Sequence, residues 1–128
     1  MNTLHLHLLK QSYSLCTLGV GQPIPAWVAA SHFYSITKTN DELSILCQSN
    51  VVPAMVQQNA GWRVLQIAEV LDLNLTGITA RFSTALAAAG VNLCVIATYN
   101  TDYILVKEEK LTIAISALAA AGFILKEQ

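Results

Sequence analysis

Leu86-Ala87-Ala88-Ala89-Gly90 recurs as Leu118-Ala119-Ala120-Ala121-Gly122, and between the copies runs Val91 to Lys107, which ends Thr101-Asp102-Tyr103-Ile104-Leu105-Val106-Lys107. A glycine just past a run of helix formers takes the left-handed conformation that closes a helix without a Cβ clash. Each copy therefore reads as helix, stop, strand, and the stretch between them as a hairpin. Working outward, Trp62 to Val70 has the composition of a strand and Asp72-Leu73-Asn74-Leu75 that of a loop. Thr76 to Ala89 reads as a helix whose Ile78, Phe82, Leu86 and Ala89 share one face. Leu111, Ala114, Ile115, Leu118 and Ala121 repeat that spacing in a second helix. Residues 61–128 are thus expected to run β-α-β-β-α-β.

That order is the split-βαβ, ferredoxin-like plan, an α+β fold with two helices on one face of a four-stranded antiparallel sheet. Residues 1–60 read less regularly. Leu4, Leu6 and Leu8 alternate with His5 and His7 as in a half-buried strand, and Tyr13 to Leu18 forms a second. Gly19 to Pro25 is a loop, Ala26 to Ala30 a short helix, and Phe33 to Thr39 and Leu43 to Gln48 two strands joined by a turn. Val51 to Gln58 has room for a brief helical segment, and Asn59-Ala60-Gly61 marks the boundary between domains 1–60 and 61–128. Ile36 to Leu46 laid on Ile96 to Val106 pairs Ile36 with Ile96, Asn40 with Asn100 and Glu42 with Asp102, the trace expected of a diverged duplication.

Composition narrows the function. The 128 residues are 54% hydrophobic and 12% charged, with seven basic and eight acidic residues and a net charge of −1, so no basic stripe exists to hold nucleic acid through its phosphates. An anionic membrane surface is disfavoured for the same reason. The best membrane candidate, Leu111 to Leu125, is too short to span a bilayer and carries Thr112, Ser116 and Gly122. Met1 to His7 lacks the basic start and apolar run of a secretory signal, so the expected location is the cytoplasm. Cys16, Cys47 and Cys94 are odd in number and far apart, as expected of buried free thiols. His5 and His7 project from one strand face without a third ligand nearby, which makes a solvent-facing strand the simpler reading than a metal site. No paired carboxylates, Ser-His-Asp or Cys-His arrangement stands out, so the chain reads as non-enzymatic and free of cofactors and metals.

Four stretches carry a family resemblance: Gly61-Trp62-Arg63, Leu71-Asp72-Leu73-Asn74-Leu75-Thr76-Gly77-Ile78, Ala89-Gly90-Val91, and Thr98-Tyr99-Asn100-Thr101-Asp102-Tyr103-Ile104-Leu105-Val106-Lys107. In order and spacing they resemble the ACT-domain proteins related to CASTOR-type arginine sensors and to the regulatory region of aspartate kinases. Ile24-Pro25-Ala26-Trp27 and Ser35 to Ile45 agree with it in the first half. The resemblance implies two tandem ACT modules, the first abbreviated and the second regular. It further implies a free amino acid or similar small ligand bound without chemistry, and pairing of modules, most simply in a homodimer.

On the residues themselves, the loop Asp72 to Thr76 leads into a helix start that Thr76 or Asn74 would cap. There the amides of Gly77 and Ile78 are suited to an α-carboxylate. Asp72 or Asp102 would take an α-amino group or cationic side chain. The resemblance adds Asn92 at the start of the adjoining strand, Thr98 and Asp102 in the Thr-Asp string, and Leu75 in the loop. The plainer readings are that Asp72 and Asn74 are loop residues, Thr76 an ordinary N-cap and Asp102 a turn former. A ligand-free dimerisation module, or a trans-acting regulatory partner of an enzyme such as aspartate kinase, are the alternatives to a sensor.

Overall fold

Buried leucine alternating with half-exposed histidine makes β1 (Leu4–Leu8): Leu4 and Leu6 are buried, His5 and His7 are not. The computed structural model describes residues 3–126. The remaining strands are β2 (Tyr13–Leu18), β3 (Ser35–Lys38), β4 (Leu43–Gln48), β5 (Gln58–Ile67), β6 (Leu93–Ala97), β7 (Asp102–Lys107) and β8 (Phe123–Leu125). The α-helices are α1 (Ile78–Ala88) and α2 (Leu111–Ala120). The chain divides into two units, one of residues up to Lys10 and from Arg63 onward, the other Gln11–Trp62.

The helical unit keeps the expected order, β5-α1-β6-β7-α2-β8. Its core is one sheet face, with Leu4, Leu6, Leu65, Ile67, Ile104, Val106 and Phe123, packed against Phe82 and Leu86 of α1 and Ala114 and Leu118 of α2. Each large side chain fully buried there contributes about 2 kcal/mol. Both helices end as expected, with Gly90 and Gly122 at positive φ. After α1 the Val91 amide reaches Leu86 O at 2.9 Å and the Gly90 amide reaches Ala87 O at 3.0 Å, a Schellman closure.

The sheet departs from the expected four antiparallel strands. Its order is β6-β7-β5-β1-β8: β1 inserts between β5 and β8, antiparallel to the first and parallel to the second. The β1 backbone is satisfied on both sides, Ala68 N to His5 O at 2.8 Å on one and Lys126 N to Leu6 O at 2.8 Å on the other. The strand assigned by sequence to the first domain thus completes the sheet of the helical unit.

In the Gln11–Trp62 unit the strand order is β3-β4-β2-β5, all antiparallel. Cys16, Val28, Leu43, Ile45 and Cys47 form its core. The short helix expected at Ala26–Ala30 is present as a 3-10 turn, whereas in place of the helical segment expected over Val51 to Gln58 there is a 3-10 turn at Ser49–Val51 followed by a turn at Pro53 to Val56. Asn59-Ala60-Gly61, beside the division between the units, lies inside β5. The register steps from Tyr13↔Trp62 to Leu15↔Asn59, one extra residue on β5, and Gly61 at φ +85° supplies the left-handed residue such a bulge uses.

The two hairpins also match one another in a register different from that read in the sequence. In the β3–β4 hairpin Thr39 Oγ1 accepts from Glu42 N at 3.0 Å, and in β6–β7 Thr98 Oγ1 accepts from Thr101 N at 3.2 Å. Lys38 pairs with Leu43 as Ala97 pairs with Asp102. Thr39 therefore corresponds to Thr98, Ile45 to Ile104 and Leu46 to Leu105, one residue away from the alignment read off the sequence. Such a slip exchanges the two faces of a strand, so Glu42 corresponds to Thr101 and Leu43, not Glu42, to Asp102.

Candidate functional site

The loop between β5 and α1 is built by Asp72, whose Oδ1 accepts the Asn74 amide at 2.8 Å while its carbonyl accepts the Leu75 amide at 2.9 Å. This Asx turn aims the chain at α1. Leu71 N bonds Asn100 O at 2.7 Å and so ties the loop to the β6–β7 turn. That turn is braced in its own right: Thr98 Oγ1 donates to Thr101 O at 2.9 Å, and the buried Thr101 hydroxyl donates to Ile67 O at 2.9 Å.

The helix start differs from expectation. Neither Thr76 nor Asn74 caps it: the N-cap is Gly77 at φ +88°, with no side-chain cap bond. The first intrahelical bond runs from Arg81 N to Gly77 O at 2.9 Å, which leaves the amides of Ile78, Thr79 and Ala80 as the open donors of the first turn. Across from them Asp102 opens β7, its Oδ2 3.5 Å from Thr79 Oγ1.

A cavity of ≈ 180 Å³ lies between these pieces. At the roughly 30 Å³ a water occupies in the liquid, that is space for about six heavy atoms, the scale of a small amino acid. Of the residues expected from sequence, Asp72, Leu75, Gly77, Ile78, Thr98 and Asp102 line it. Asn74 and Thr76 belong to the loop but not to the lining. Asn92 is not brought to the site: all of β6 separates it from Thr98, about 20 Å at strand rise. Leu71, Leu73, Thr79 and Thr101 line the cavity without having been singled out. Thr101 stood in the quoted Thr-Asp string, and Thr79 occupies the second helical position, where facing donors are expected.

Elsewhere, His5 Nδ1 meets Glu69 Oε2 at 2.7 Å, and the His5 amide donates to Glu69 Oε1 at 2.8 Å. Among the described residues no three His, Cys, Asp or Glu side chains gather as a metal site would need, and no helix is long and apolar enough to cross a membrane.

A family model described as an ACT domain matches residues 57–120, and a second, described as an N-terminal domain, matches residues 11–55. Among solved structures, a protein of Agobacterium tumefaciens is 31% identical with a TM-score of 0.92, covering 100% of this chain and 96% of its own. The ligand-free regulatory subunit of aspartate kinase from Thermus thermophilus matches with a TM-score of 0.60 at 12% identity, over 91% of this chain and 95% of that one. Aspartate kinase of Clostridium acetobutylicum matches with a TM-score of 0.70 at 11% identity, over 94% of this chain and 35% of that one. At these last identities the likeness is one of fold. No curated protein sequence matches.

Proposed function

Because this chain belongs to the ACT-domain family, we propose that it is a non-catalytic regulatory protein that binds a small zwitterion, a free amino acid or close analogue, in the cavity at the start of α1. The observation that carries this reading is the pairing, across one cavity, of an uncapped helix start with Asp102. The amides of Ile78, Thr79 and Ala80 and the helix dipole suit an α-carboxylate. Asp102 suits the α-ammonium by a charge-assisted hydrogen bond. Asp72, Leu75, Ile78 and Thr98 are among the residues that supply the rest of the wall.

The organisation we propose is two tandem modules of the CASTOR and aspartate-kinase type, 1–60 abbreviated and 61–128 regular. Ligand output is by linkage: a molecule that prefers one packing of modules or subunits shifts the population toward it by its differential affinity. Dimer formation has a natural edge in β6, Leu-Cys-Val-Ile-Ala, which carries no charge or proline and pairs only with β7 among the described residues. A trans-acting regulatory subunit is the second reading. It is favoured by the near-full-length match to a separate aspartate kinase regulatory subunit.

The test is a thermal-shift screen against the twenty amino acids. A ligand at a hundred times its dissociation constant adds roughly 2.7 kcal/mol to native stability. One selective shift, lost in Asp102→Ala, is the expected result. The absence of any shift at millimolar concentrations would replace the sensor with a ligand-free interaction module.

A further inference from the structure

The Gln11–Trp62 unit contains a larger cavity of ≈ 270 Å³, lined by the loop Gly21 to Ile24 and by Ile36, Lys38, Thr39, Glu42 and Leu43. It sits at the same place on its hairpin as the first cavity does: Thr39 and Thr98, Glu42 and Thr101, and Leu43 and Asp102 are corresponding positions by hairpin register, and all six line their respective cavities.

The chemistry is exchanged at each decisive position. Where the first cavity has Asp102 for an ammonium group, the second has Leu43, 4% exposed. Ala97, which pairs with Asp102, corresponds to Lys38, which pairs across the ladder with Leu43 and lies on the same strand face as Ile36. Glu42 is turned to the neighbouring strand, its Oε1 accepting the Thr17 hydroxyl at 2.8 Å, as Thr101 is turned to Ile67. Among the described residues Lys38 makes no ion pair, and it lines the cavity together with the aliphatic Pro23, Ile24, Ile36 and Leu43. No helix start is needed here, because the cation supplies what the backbone amides supply at the first cavity.

We propose that this cavity is a second binding site, distinct from that of the zwitterion, for a small aliphatic carboxylate without an ammonium group. The carboxylate rests on Lys38 and the branched body on Ile24, Ile36 and Leu43. At about 30 Å³ per water the cavity holds roughly nine heavy atoms, enough for such a molecule. The site goes beyond the proposed sensor function and does not depend on it.

The experiment is a backbone-amide NMR titration of the full chain with isovalerate, with isovaleramide as the uncharged counterpart of the same shape. Saturable shifts at Gly21, Ile24, Ile36, Lys38 and Leu43 with isovalerate are expected. They should be weakened roughly tenfold in Lys38→Gln and kept in Lys38→Arg. Lys38 is exposed at the end of β3, so neither substitution threatens the fold. Equal shifts with isovaleramide, an unchanged titration in Lys38→Gln, or no saturable shift at these residues would each overturn the site.

Discussion

Arg81 of α1 holds the end of α2: its Nη2 donates to Ala121 O at 3.0 Å, and its guanidinium lies 4.7 Å from the centre of the Phe123 ring. One side chain thus satisfies a helix-terminal carbonyl and covers an aromatic ring at the start of β8. Gly122 lies between these contacts at φ +95°, and a Cβ placed on it would come within 2.7 Å of Arg81 Nη2.

Gly122→Ala should therefore destabilise by about 1–3 kcal/mol, through left-handed strain together with displacement of Arg81 from Ala121 O. Gly61 has a similar φ, +85°, but nothing within 4 Å of its would-be Cβ. Gly61→Ala should lose only the strain, about 1–2 kcal/mol. Urea unfolding of both variants compares them, and in an Arg81→Ala background the excess at Gly122 should vanish. A Gly122 loss no larger than that at Gly61 would refute the contact argument.

Asp102→Ala should weaken the amino-acid ligand by at least about tenfold, the loss of one charge-assisted bond. Asn92→Ala should leave affinity unchanged, since β6 separates it from the cavity. Calorimetry on the two variants decides whether the site lies at the helix start or extends along the strand.

Glu69 predicts an acid-side dependence of stability. Burial pushes its carboxyl up, but the amide and ring of His5 more than offset this and hold it below its ordinary value. The folded carboxylate is then harder to protonate than the unfolded one. Its contribution is complete above the unfolded value, about 4.3, and is lost as pH falls through the folded one. Glu69→Gln should be the less stable protein at neutral pH, and its gap to the parent should close on acidification. A gap that stays constant into acid would show that the His5 contacts do not act through charge.

Cys16 and Cys47 should be inert in the native state. Burial pushes both thiols up, Cys47 to about 12, with Cys16 beside it adding to the effect. The thiolate is the reactive form, so alkylation of these two should follow the unfolding equilibrium in denaturant. Cys94 is also raised by burial but is only half-buried and is countered by Lys107. It should be modified first, as peptide mapping after brief iodoacetamide treatment can establish. Early modification of Cys47 would mean that the unit opens locally.

The helical half was legible because its signals are local. Periodicity placed Phe82 and Leu86, or Ala114 and Leu118, on one face, and the glycine stops closed the helices where the repeated motif put them. Six of the nine site residues expected from sequence line the cavity, because loop, helix start and hairpin turn are themselves local features. Asn92 lies away from this cavity because distance along a strand is not visible in a motif. Asn59-Ala60-Gly61 lies beside the division between the units at Trp62, but within a continuous strand, because a left-handed glycine serves a bulge as readily as a turn.

By itself the sequence determined the order of strands and helices and the glycine stops that close α1 and α2. The placement of β1 beside β8, the one-residue shift between the two hairpins, and the exchange of Asp102 for Leu43 and Ala97 for Lys38 were decided by tertiary structure alone. The reason is physical: helix periodicity and turn chemistry act over a few residues. Strand pairing and register are set by hydrogen-bond ladders between segments that the chain keeps far apart, and a single-residue slip reverses which side chains meet.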